Sequence, residues 1–257
     1  MSKMTEVRDQ VIVVVGGTRG IGAAIATDLG AAGARIVLAG RDVEGGAAVA
    51  EAISADGGRA SVVGCDVTNA EDCDALFRVV ADHHGRVDTV FANQGVAGPP
   101  LRLTHWSDDA VNQSLAVNLV GCLHIARSAE QLLGADGGGR LIVTGSGSGH
   151  QNMVGLGMYG ISKAAVSHLV RQLAVEWRSR PIAVNELIPG PVRTAMTGFD
   201  NSATVDPGAA PNPMEQFAEA AQEWLKEPDD VTPLARLLCS FPTNGPSGQI
   251  FSLAGRL

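Results

Sequence analysis

Short runs of β-branched residues alternate with helical segments along most of this 257-residue chain. The first run, at 11–15, is apolar throughout and ends in glycines, which is typical of a strand buried on both faces of a sheet. We predict strands at 11–15, 35–39, 60–65, 87–91, 140–144, 182–187 and 249–253, and helices at 20–32, 42–54, 69–84, 107–133 and 157–178. This alternation predicts an α/β fold, in which right-handed crossovers build a parallel sheet with helices on both faces.

Length and charge restrict the class of protein further. A chain of 257 residues suits one α/β domain, and 45% apolar residues suffice for a large core, so we predict a single domain over 1–257. The net charge is −8 and no basic stripe follows the sequence. Both features argue against a nucleic acid or an anionic membrane surface as the main partner.

The sequence shows no sign of export or of a metal site. The first eight residues lack the apolar core of a secretory signal, and no apolar run is long enough to span a membrane. The cysteines, Cys65, Cys73, Cys122 and Cys239, are far apart and form no C-x-x-C pair. We therefore expect reduced thiols, no bound metal, and a cytoplasmic protein.

A glycine-rich turn joins the first strand to the first helix. It reads Gly16-Gly17-Thr18-Arg19-Gly20-Ile21-Gly22, a G-x-x-x-G-x-G spacing. Glycines at this place permit a tight turn and a close approach to the backbone, and the following helix N-terminus attracts an anion. Because glycine is abundant in this chain, the position between strand and helix supports a phosphate-binding turn more strongly than the motif does.

Tyr159 is the only tyrosine of the chain, and Lys163 follows it four residues later. In a helix, positions i and i+4 share one face. A free phenol has a pKa of roughly 10, and an adjacent ammonium group favours the phenolate. The pair is therefore suited to proton transfer, although an ordinary amphipathic helix can carry the same spacing.

Together these two motifs resemble the short-chain dehydrogenase/reductase family, in its short single-domain branch. The resemblance covers nearly the whole chain. Ser146, thirteen residues before Tyr159, and Asn118 match the remaining catalytic positions of the family. The resemblance implies a doubly wound Rossmann-type domain with a seven-stranded parallel sheet in the order 3-2-1-4-5-6-7. It also implies an NAD(P)-dependent oxidoreductase that acts on a small molecule.

Further positions match the cofactor site of that family. They are Gly16, Thr18, Arg19, Gly20, Ile21, Gly22, Arg41, Asp66, Val67, Asn93, Gly95, Tyr159, Lys163, Pro189, Gly190, Val192 and Thr194. Asp66 matches the residue that meets the adenine ring, and 189–194 match the segment that closes over the nicotinamide. The chain departs from the family at Val15, Ala92 and Gln94, where Thr, Asn and Ala are usual. None of these departures falls on a catalytic position.

The resemblance implies a role for each catalytic residue. Tyr159 is the general acid/base for the substrate oxygen, and Lys163 favours its phenolate and binds the nicotinamide ribose. Ser146 polarises the substrate oxygen, and Asn118 organises a water relay to Lys163. Two alternatives stay open: Ser146 as an ordinary turn residue and Asn118 as a polar residue that bends a helix. Ser148 is a rival for the serine position, but its spacing to Tyr159 is wrong.

The end of the second strand predicts the nucleotide. NAD sites place an acid there for the ribose 2′-hydroxyl, but Gly40 holds that position and Arg41 follows it. Arg41 and Arg19 suit a 2′-phosphate, so we predict that NADP(H) is preferred. NAD(H) is the alternative if Asp42 reaches the ribose instead of capping the next helix.

The substrate is less constrained. Residues expected to line its pocket are Gln94, Ser148, His150, Asn152, Met153 and Met196. His150 is either a plain pocket or surface histidine or an extra acid/base. We expect 195–228 to form a mobile substrate-binding loop with short helices, since 195–213 is rich in turn-forming residues. Within the family, 3-oxoacyl thioesters, bulky ketones, sugars, polyols and steroids all stay open.

We therefore predict a carbonyl reductase, with two alternatives. One is an NAD-dependent alcohol, polyol or sugar dehydrogenase of the same fold. The other is a non-catalytic nucleotide sensor or scaffold, which predicts a broken set of catalytic residues, whereas all four are present. The resemblance also implies a homotetramer, or a homodimer, formed through the helices at 107–133 and 157–178.

Overall fold

One parallel sheet organises the chain. The computed structural model describes residues 6–135, 137–153, 155–197 and 224–255. Its strands are β1 Val11–Val15, β2 Arg35–Gly40, β3 Arg59–Gly64, β4 Thr89–Ala92, β5 Gly139–Thr144, β6 Ile182–Ile188 and β7 Ile250–Ser252. They pair in parallel in the order β3-β2-β1-β4-β5-β6-β7. The predicted sheet and strand order are confirmed.

Helices cover both faces of this sheet. They are α1 Gly20–Ala31, α2 Val43–Ala55, α3 Ala70–His84, α4 Asp108–Leu115, α5 Gly121–Leu133, α6 Gly157–Glu176 and α7 Thr232–Ser240. A π-helical turn, Ala116–Val120, joins α4 to α5, and 3₁₀ turns occupy Leu103–His105, Gly147–Gly149 and Pro228–Val231. No helix of the described residues is long and apolar enough to cross a bilayer.

Two apolar cores hold the layers together, one on each face of the sheet. Val13 belongs to the core that includes residues of α3, α5 and α6. Val14 belongs to the core that includes residues of α1, α2 and α7. Successive side chains of a strand point to opposite faces. A central strand such as β1 is therefore apolar and buried at every position.

The order of the strands creates a crevice. β1 pairs with β2 on one side and with β4 on the other, so the connections that leave β1 and β4 diverge. In open α/β sheets, ligands bind outside the carboxyl ends of the strands at such a switch point. The glycine turn and the segment 93–98 both begin at this edge.

Two predicted segments differ from the sequence expectation or fall outside the structure. The helix predicted at 107–133 is interrupted by the π turn, because the chain accommodates one extra residue per turn there. The loop predicted at 195–228 lies mostly outside the described residues, since 198–223 are not described. That loop, like the single-domain organisation over 1–257, stays a prediction.

Candidate active site

The glycine turn packs tightly against the end of β4. Gly16 has a φ of +75°, and a Cβ atom there would lie 2.8 Å from the backbone nitrogen of Gln94. A Cβ atom at Gly22 would lie 2.1 Å from the carbonyl oxygen of Gly16. A side chain at either position would displace the turn, so glycine is required for its shape.

Helix α1 begins where this turn ends. Its N-cap residue is Arg19, no side chain caps the helix, and no acidic residue lies in its first turn. The first N–H groups of a helix have no partner within the helix, and they carry the positive end of the helix dipole. This end of α1 is therefore suited to bind a pyrophosphate.

A cleft of about 1440 Å³ runs along the carboxyl edge of the sheet. It is lined by all the predicted cofactor contacts except Gly22: Gly16, Thr18, Arg19, Gly20, Ile21, Arg41, Asp66, Val67, Asn93, Gly95, Tyr159, Lys163, Pro189, Gly190, Val192 and Thr194. Gly22 lies under the turn, where the lack of a side chain makes room for Gly16.

The end of the cleft beside β2 and β3 presents a cation. Arg41 is exposed and lines the cleft. Asp42 is the N-cap of α2, and its Oδ1 accepts a hydrogen bond from the N–H of Gly45 at 2.9 Å. Hydrogen bonds from the N–H and hydroxyl of Thr68 lower the pKa of the Asp66 carboxyl, and the nearby charge of Arg41 adds to this. Asp42 also lines the cleft, and one of its carboxyl oxygens is engaged in capping α2.

Helix α6 presents Tyr159 and Lys163 to the other end of the cleft. Nζ of Lys163 lies 5.9 Å from the centroid of the Tyr159 ring, and the lysine is only 3% exposed. Nζ also donates a hydrogen bond to the carbonyl oxygen of Thr144 at 2.7 Å. A phenol and an ammonium group thus lie side by side at this end of the cleft.

Ser146 lies in the turn after β5 and lines the same end of the cleft. Its Oγ accepts a hydrogen bond of 3.2 Å from the N–H of Ser148 and so caps the 3₁₀ turn Gly147–Gly149. A hydroxyl that accepts this bond keeps its own proton to donate. Ser146 is therefore able to donate a hydrogen bond to a substrate oxygen.

Asn118 lies in the π turn and is completely buried. Its Oδ1 accepts from the N–H of Val96 at 2.8 Å, and its Nδ2 donates to the Val96 carbonyl at 3.0 Å and to Ser162 Oγ at 2.9 Å. Ser162 in turn donates to the Tyr159 carbonyl at 2.7 Å. The side chain therefore joins the segment after β4 to the helix that carries Tyr159.

Two of these supporting residues were not among the sequence predictions. Thr144 holds Lys163 through its carbonyl, and its hydroxyl donates to Asn93 Oδ1 at 3.0 Å. Asn93 Nδ2 then donates to the Gly16 carbonyl at 3.1 Å. The one sequence feature that could have indicated Ser162 is its place inside the Tyr159-x-x-x-Lys163 motif. Thr144 holds Lys163 through a backbone carbonyl, so its residue type could not have indicated this role.

The residues predicted to line the substrate pocket divide into two groups. Gln94 and Met196 line the cleft, although Gln94 Nε2 donates inward to Cys122 Sγ at 3.1 Å. The other four, Ser148, His150, Asn152 and Met153, do not line the described cleft. Ser148 Oγ donates to Met153 Sδ at 3.4 Å, and His150 Nε2 lies 3.6 Å from Glu186 Oε1. The place of these four residues in the substrate pocket stays a prediction.

These features fit a dinucleotide cofactor. The cleft combines a tight glycine turn, an uncapped helix N-terminus and a cation at the β2 end. Its opposite end combines a phenol, an ammonium and a hydroxyl. In the described residues, no group of three His, Cys, Asp or Glu side chains is placed to hold a metal ion. Fold and site together define the class of nicotinamide-dependent oxidoreductases.

Comparison with known proteins identifies the family. The short chain dehydrogenase family model matches residues 10–204. The oxidoreductase asL5 of Sarocladium schorii is 30% identical over 262 residues, which cover 100% of this chain and 99% of that protein. Sorbose reductase sou1 of Schizosaccharomyces pombe is 34% identical over 205 residues, 77% of this chain and 78% of that protein. This chain belongs to the short-chain dehydrogenase/reductase family and is an NAD(P)-dependent dehydrogenase/reductase.

Solved structures agree with this assignment. One is the crystal structure of a short chain dehydrogenase from Shigella flexneri 2a strain 301 complexed with NADP. It superposes with a TM-score of 0.82 at 25% sequence identity, and the match covers 97% of this chain and 99% of that one.

Proposed function

We propose that this protein is an NADP(H)-dependent carbonyl reductase that interconverts a ketone or aldehyde with the corresponding alcohol. The observation that carries this proposal is the convergence of Ser146, Tyr159 and Lys163 at one end of a cleft whose other end carries Arg41. The proposed substrates are 3-oxoacyl-type compounds and bulky ketones.

The proposed chemistry divides between cofactor and protein. The nicotinamide cofactor supplies hydride to a carbonyl carbon, or accepts it from an alcohol, when it is bound. Tyr159 donates a proton to the substrate oxygen in reduction and removes it in oxidation. Lys163 stabilises the phenolate left after proton donation. Ser146 donates a hydrogen bond to the substrate oxygen, where negative charge develops.

Asn118 has a supporting part in this proposal. Its side-chain oxygen and nitrogen are bonded to Val96 and Ser162, so it acts by holding the catalytic helix against the segment after β4. We propose that any water relay to Lys163 is organised by this π turn. The other cofactor contacts of the cleft, from Gly16 to Thr194, are proposed to hold the nucleotide.

Substitution of Tyr159 by Phe tests the acid/base assignment. General acid–base catalysis contributes about 10²- to 10⁴-fold, so we expect Tyr159→Phe to lose turnover by that factor while binding NADPH as the wild type does. Ser54→Ala, which removes an exposed hydroxyl on α2, is the control. A Phe variant that keeps near-full turnover contradicts the assignment.

A panel of carbonyl compounds tests the proposed direction and substrate class. Initial rates with NADPH are compared for 3-oxoacyl esters, bulky ketones, ketoses and simple aldehydes. The similarity to a protein named sorbose reductase supports the alternative of a polyol or sugar dehydrogenase. That alternative is favoured if ketoses are reduced and the other carbonyl compounds are not.

Preference for NADP(H) rests on Arg41 and the engagement of Asp42 as a helix cap. Hydrogen bonds to charged groups contribute about 1.5–3 kcal/mol, and about 1.4 kcal/mol is tenfold. We therefore expect Arg41→Ala to lower kcat/KM for NADPH by about 10- to 100-fold and to leave the value for NADH nearly unchanged.

Arg78→Ala is the matched control for this cofactor test, because Arg78 is exposed on α3 and does not line the cleft. A wild-type protein that strongly prefers NADH would contradict the proposal and favour the NAD-dependent alternative.

A further inference from the structure

Strand β6 carries a buried glutamate that the proposed chemistry does not use. Glu186 is 0% exposed, and neither of its carboxyl oxygens has a hydrogen-bond partner within the described structure. Burial of an isolated charge is strongly unfavourable unless a cation or a proton compensates it. An acid at this position therefore needs a local explanation.

Its surroundings connect Glu186 to both ends of one turn. A Cβ atom at Gly145 would lie 1.9 Å from Oε1 of Glu186, so the carboxyl occupies the space that the glycine leaves. Nε2 of His150 lies 3.6 Å from the same oxygen, within ion-pair distance. The His150 side chain is 20% exposed, although the residue as a whole is open to solvent. Within the described chain, His150 is the basic side chain that lies within ion-pair distance of Glu186.

This turn, residues 145–150, holds Ser146. Gly145 directly precedes the serine, and the N–H of His150 closes the turn by donating to the Gly147 carbonyl at 2.9 Å. The serine turn, as we call residues 145–150, is therefore supported at its two ends by one carboxyl group.

Helix α6 closes on the opposite side of the serine turn. A Cβ atom at Gly149 would lie 2.8 Å from the carbonyl carbon of Lys163, and a Cβ atom at Gly160 would lie 2.6 Å from the carbonyl oxygen of Ser148. These contacts are between backbones and leave little room for adjustment. The serine turn is thus fixed between β6 and the helix that carries Tyr159.

We infer that Glu186 and His150 form a positioning pair that sets the Ser146 hydroxyl against Tyr159. Both side chains lie outside the residues that line the cleft, so they act through the serine turn and not on the substrate. Loss of the pair lets the turn shift, which misplaces one of two groups that hold the same substrate oxygen. This inference rests on the proposed roles of Ser146 and Tyr159.

Four proteins test the pair: the wild type, Glu186→Gln, His150→Gln and the double variant. Glu51→Gln and His83→Gln, at exposed positions of α2 and α3, are the matched controls. A displacement of about 1 Å costs up to about 100-fold in rate. We expect each single variant to lower kcat by about 10- to 100-fold on the best carbonyl compound of the panel. The Kd for NADPH is expected to stay within twofold, because the cofactor contacts are untouched.

The double variant distinguishes two residues that act as a pair from two residues that act independently. If the two side chains act together, the loss of kcat in the double variant equals that of the worse single variant, because the pair can be broken only once. Unchanged kcat in all three variants, or losses that multiply, overturns the inference. A fall in NADPH affinity equal to the fall in kcat also overturns it, since that result indicates general damage.

Gly145→Ala provides a second test that holds even if Glu186→Gln does not fold. The new methyl group meets the Glu186 carboxyl, so we expect kcat to fall. In the Glu186→Ala protein, which has lost both the obstacle and the pair, we expect Gly145→Ala to lower kcat little further. Equal losses from Gly145→Ala in the wild-type and Glu186→Ala backgrounds contradict the contact on which the inference depends.

Failure of the proposed function would be seen separately. A wild-type protein that reduces none of the carbonyl compounds contradicts the proposed function, whatever the variants do. Unfolding free energies of the same four proteins then test whether Glu186 and His150 interact. Non-additive values, measured by urea denaturation, support the Glu186–His150 contact, and additive values overturn it.

Discussion

At the scale of single residues, the catalytic candidates depend on neighbours that carry no chemistry of their own. Lys163 is held by the backbone carbonyl of Thr144, and the side-chain amide of Asn118 is hydrogen-bonded to Val96 and Ser162. The family resemblance implied the four catalytic candidates, because their residue types and positions match the motifs of that family. It could not predict Thr144, since a backbone carbonyl is the same for every residue type.

The cysteines yield a prediction at the same scale. Cys65 lines the cleft, its Sγ lies 4.0 Å from Cys73 Sγ, and the hydrogen bond from Cys73 lowers the pKa of its thiol. Burial raises the pKa of Cys122, and it raises that of Cys239 to about 12. The thiolate is the reactive form. We therefore expect iodoacetamide at neutral pH to modify Cys65 at least about tenfold faster than Cys122 or Cys239.

Peptide mass spectrometry over a time course measures these rates. NADPH is expected to slow the modification of Cys65, because the thiol lines the cleft, and Cys73→Ala is expected to slow it by removing the hydrogen-bond donor. Equal labelling of all four cysteines would show that the pair does not favour the Cys65 thiolate.

At the scale of elements, the junction of β1 and α1 is the most constrained part of the fold. In an ordinary helix, Gly→Ala stabilises by roughly 0.5–1 kcal/mol. At Gly22 we expect Gly→Ala to lower the free energy of unfolding, because the new Cβ would lie 2.1 Å from the Gly16 carbonyl oxygen. Gly22→Ala is expected to lower the midpoint of thermal unfolding and to weaken NADPH binding, measured by fluorescence titration.

Gly157→Ala at the start of α6 is the matched control, since the nearest atom to a Cβ there is 3.4 Å away. If Gly22→Ala is as stable as this control and binds NADPH equally well, the close contact between turn and helix does not constrain the site.

Most elements were predictable because their apolar pattern is long and regular. The strand order follows from the resemblance, and the predicted ends of β1 agree with the structure at both residues. The π turn at 116–120 was not predictable, because one extra residue in a helix changes the apolar pattern only locally. The hydrogen bonds of residues 148–153 were not predictable for a related reason: a turn rich in glycine has no pattern that tells which side faces the cleft.

At the scale of the whole molecule, the apolar residues left at the surface bear on assembly. Val166, Val170 and Leu173 of α6 are buried in the core. Ile161 of α6 and Leu123 of α5 are exposed to solvent, with exposed fractions of 48% and 36%. We propose that these two helices form the interface of a homotetramer, with a homodimer as the alternative. Burial of such residues between copies stabilises an oligomer by removing apolar surface from water.

Light scattering coupled to size exclusion tests this interface. We expect the wild type to elute with the mass of a tetramer. The double variant Ile161→Glu, Leu123→Glu is expected to elute with a smaller mass. Val79→Glu places the same charge on an exposed position of α3 and is expected to leave the mass unchanged. A monomeric wild type contradicts the proposal.

The bonds of Asn118 also bear on when the enzyme becomes active during folding. They join segments that lie 22 and 44 residues apart in sequence, and contacts between distant segments form slowly, because a long loop must close first. The site is therefore complete only after these distant segments have come together. In a refolding experiment, recovery of turnover is expected to follow the last step of tertiary packing, with the same rate constant as the docking of α6, and to lag behind the recovery of helix content.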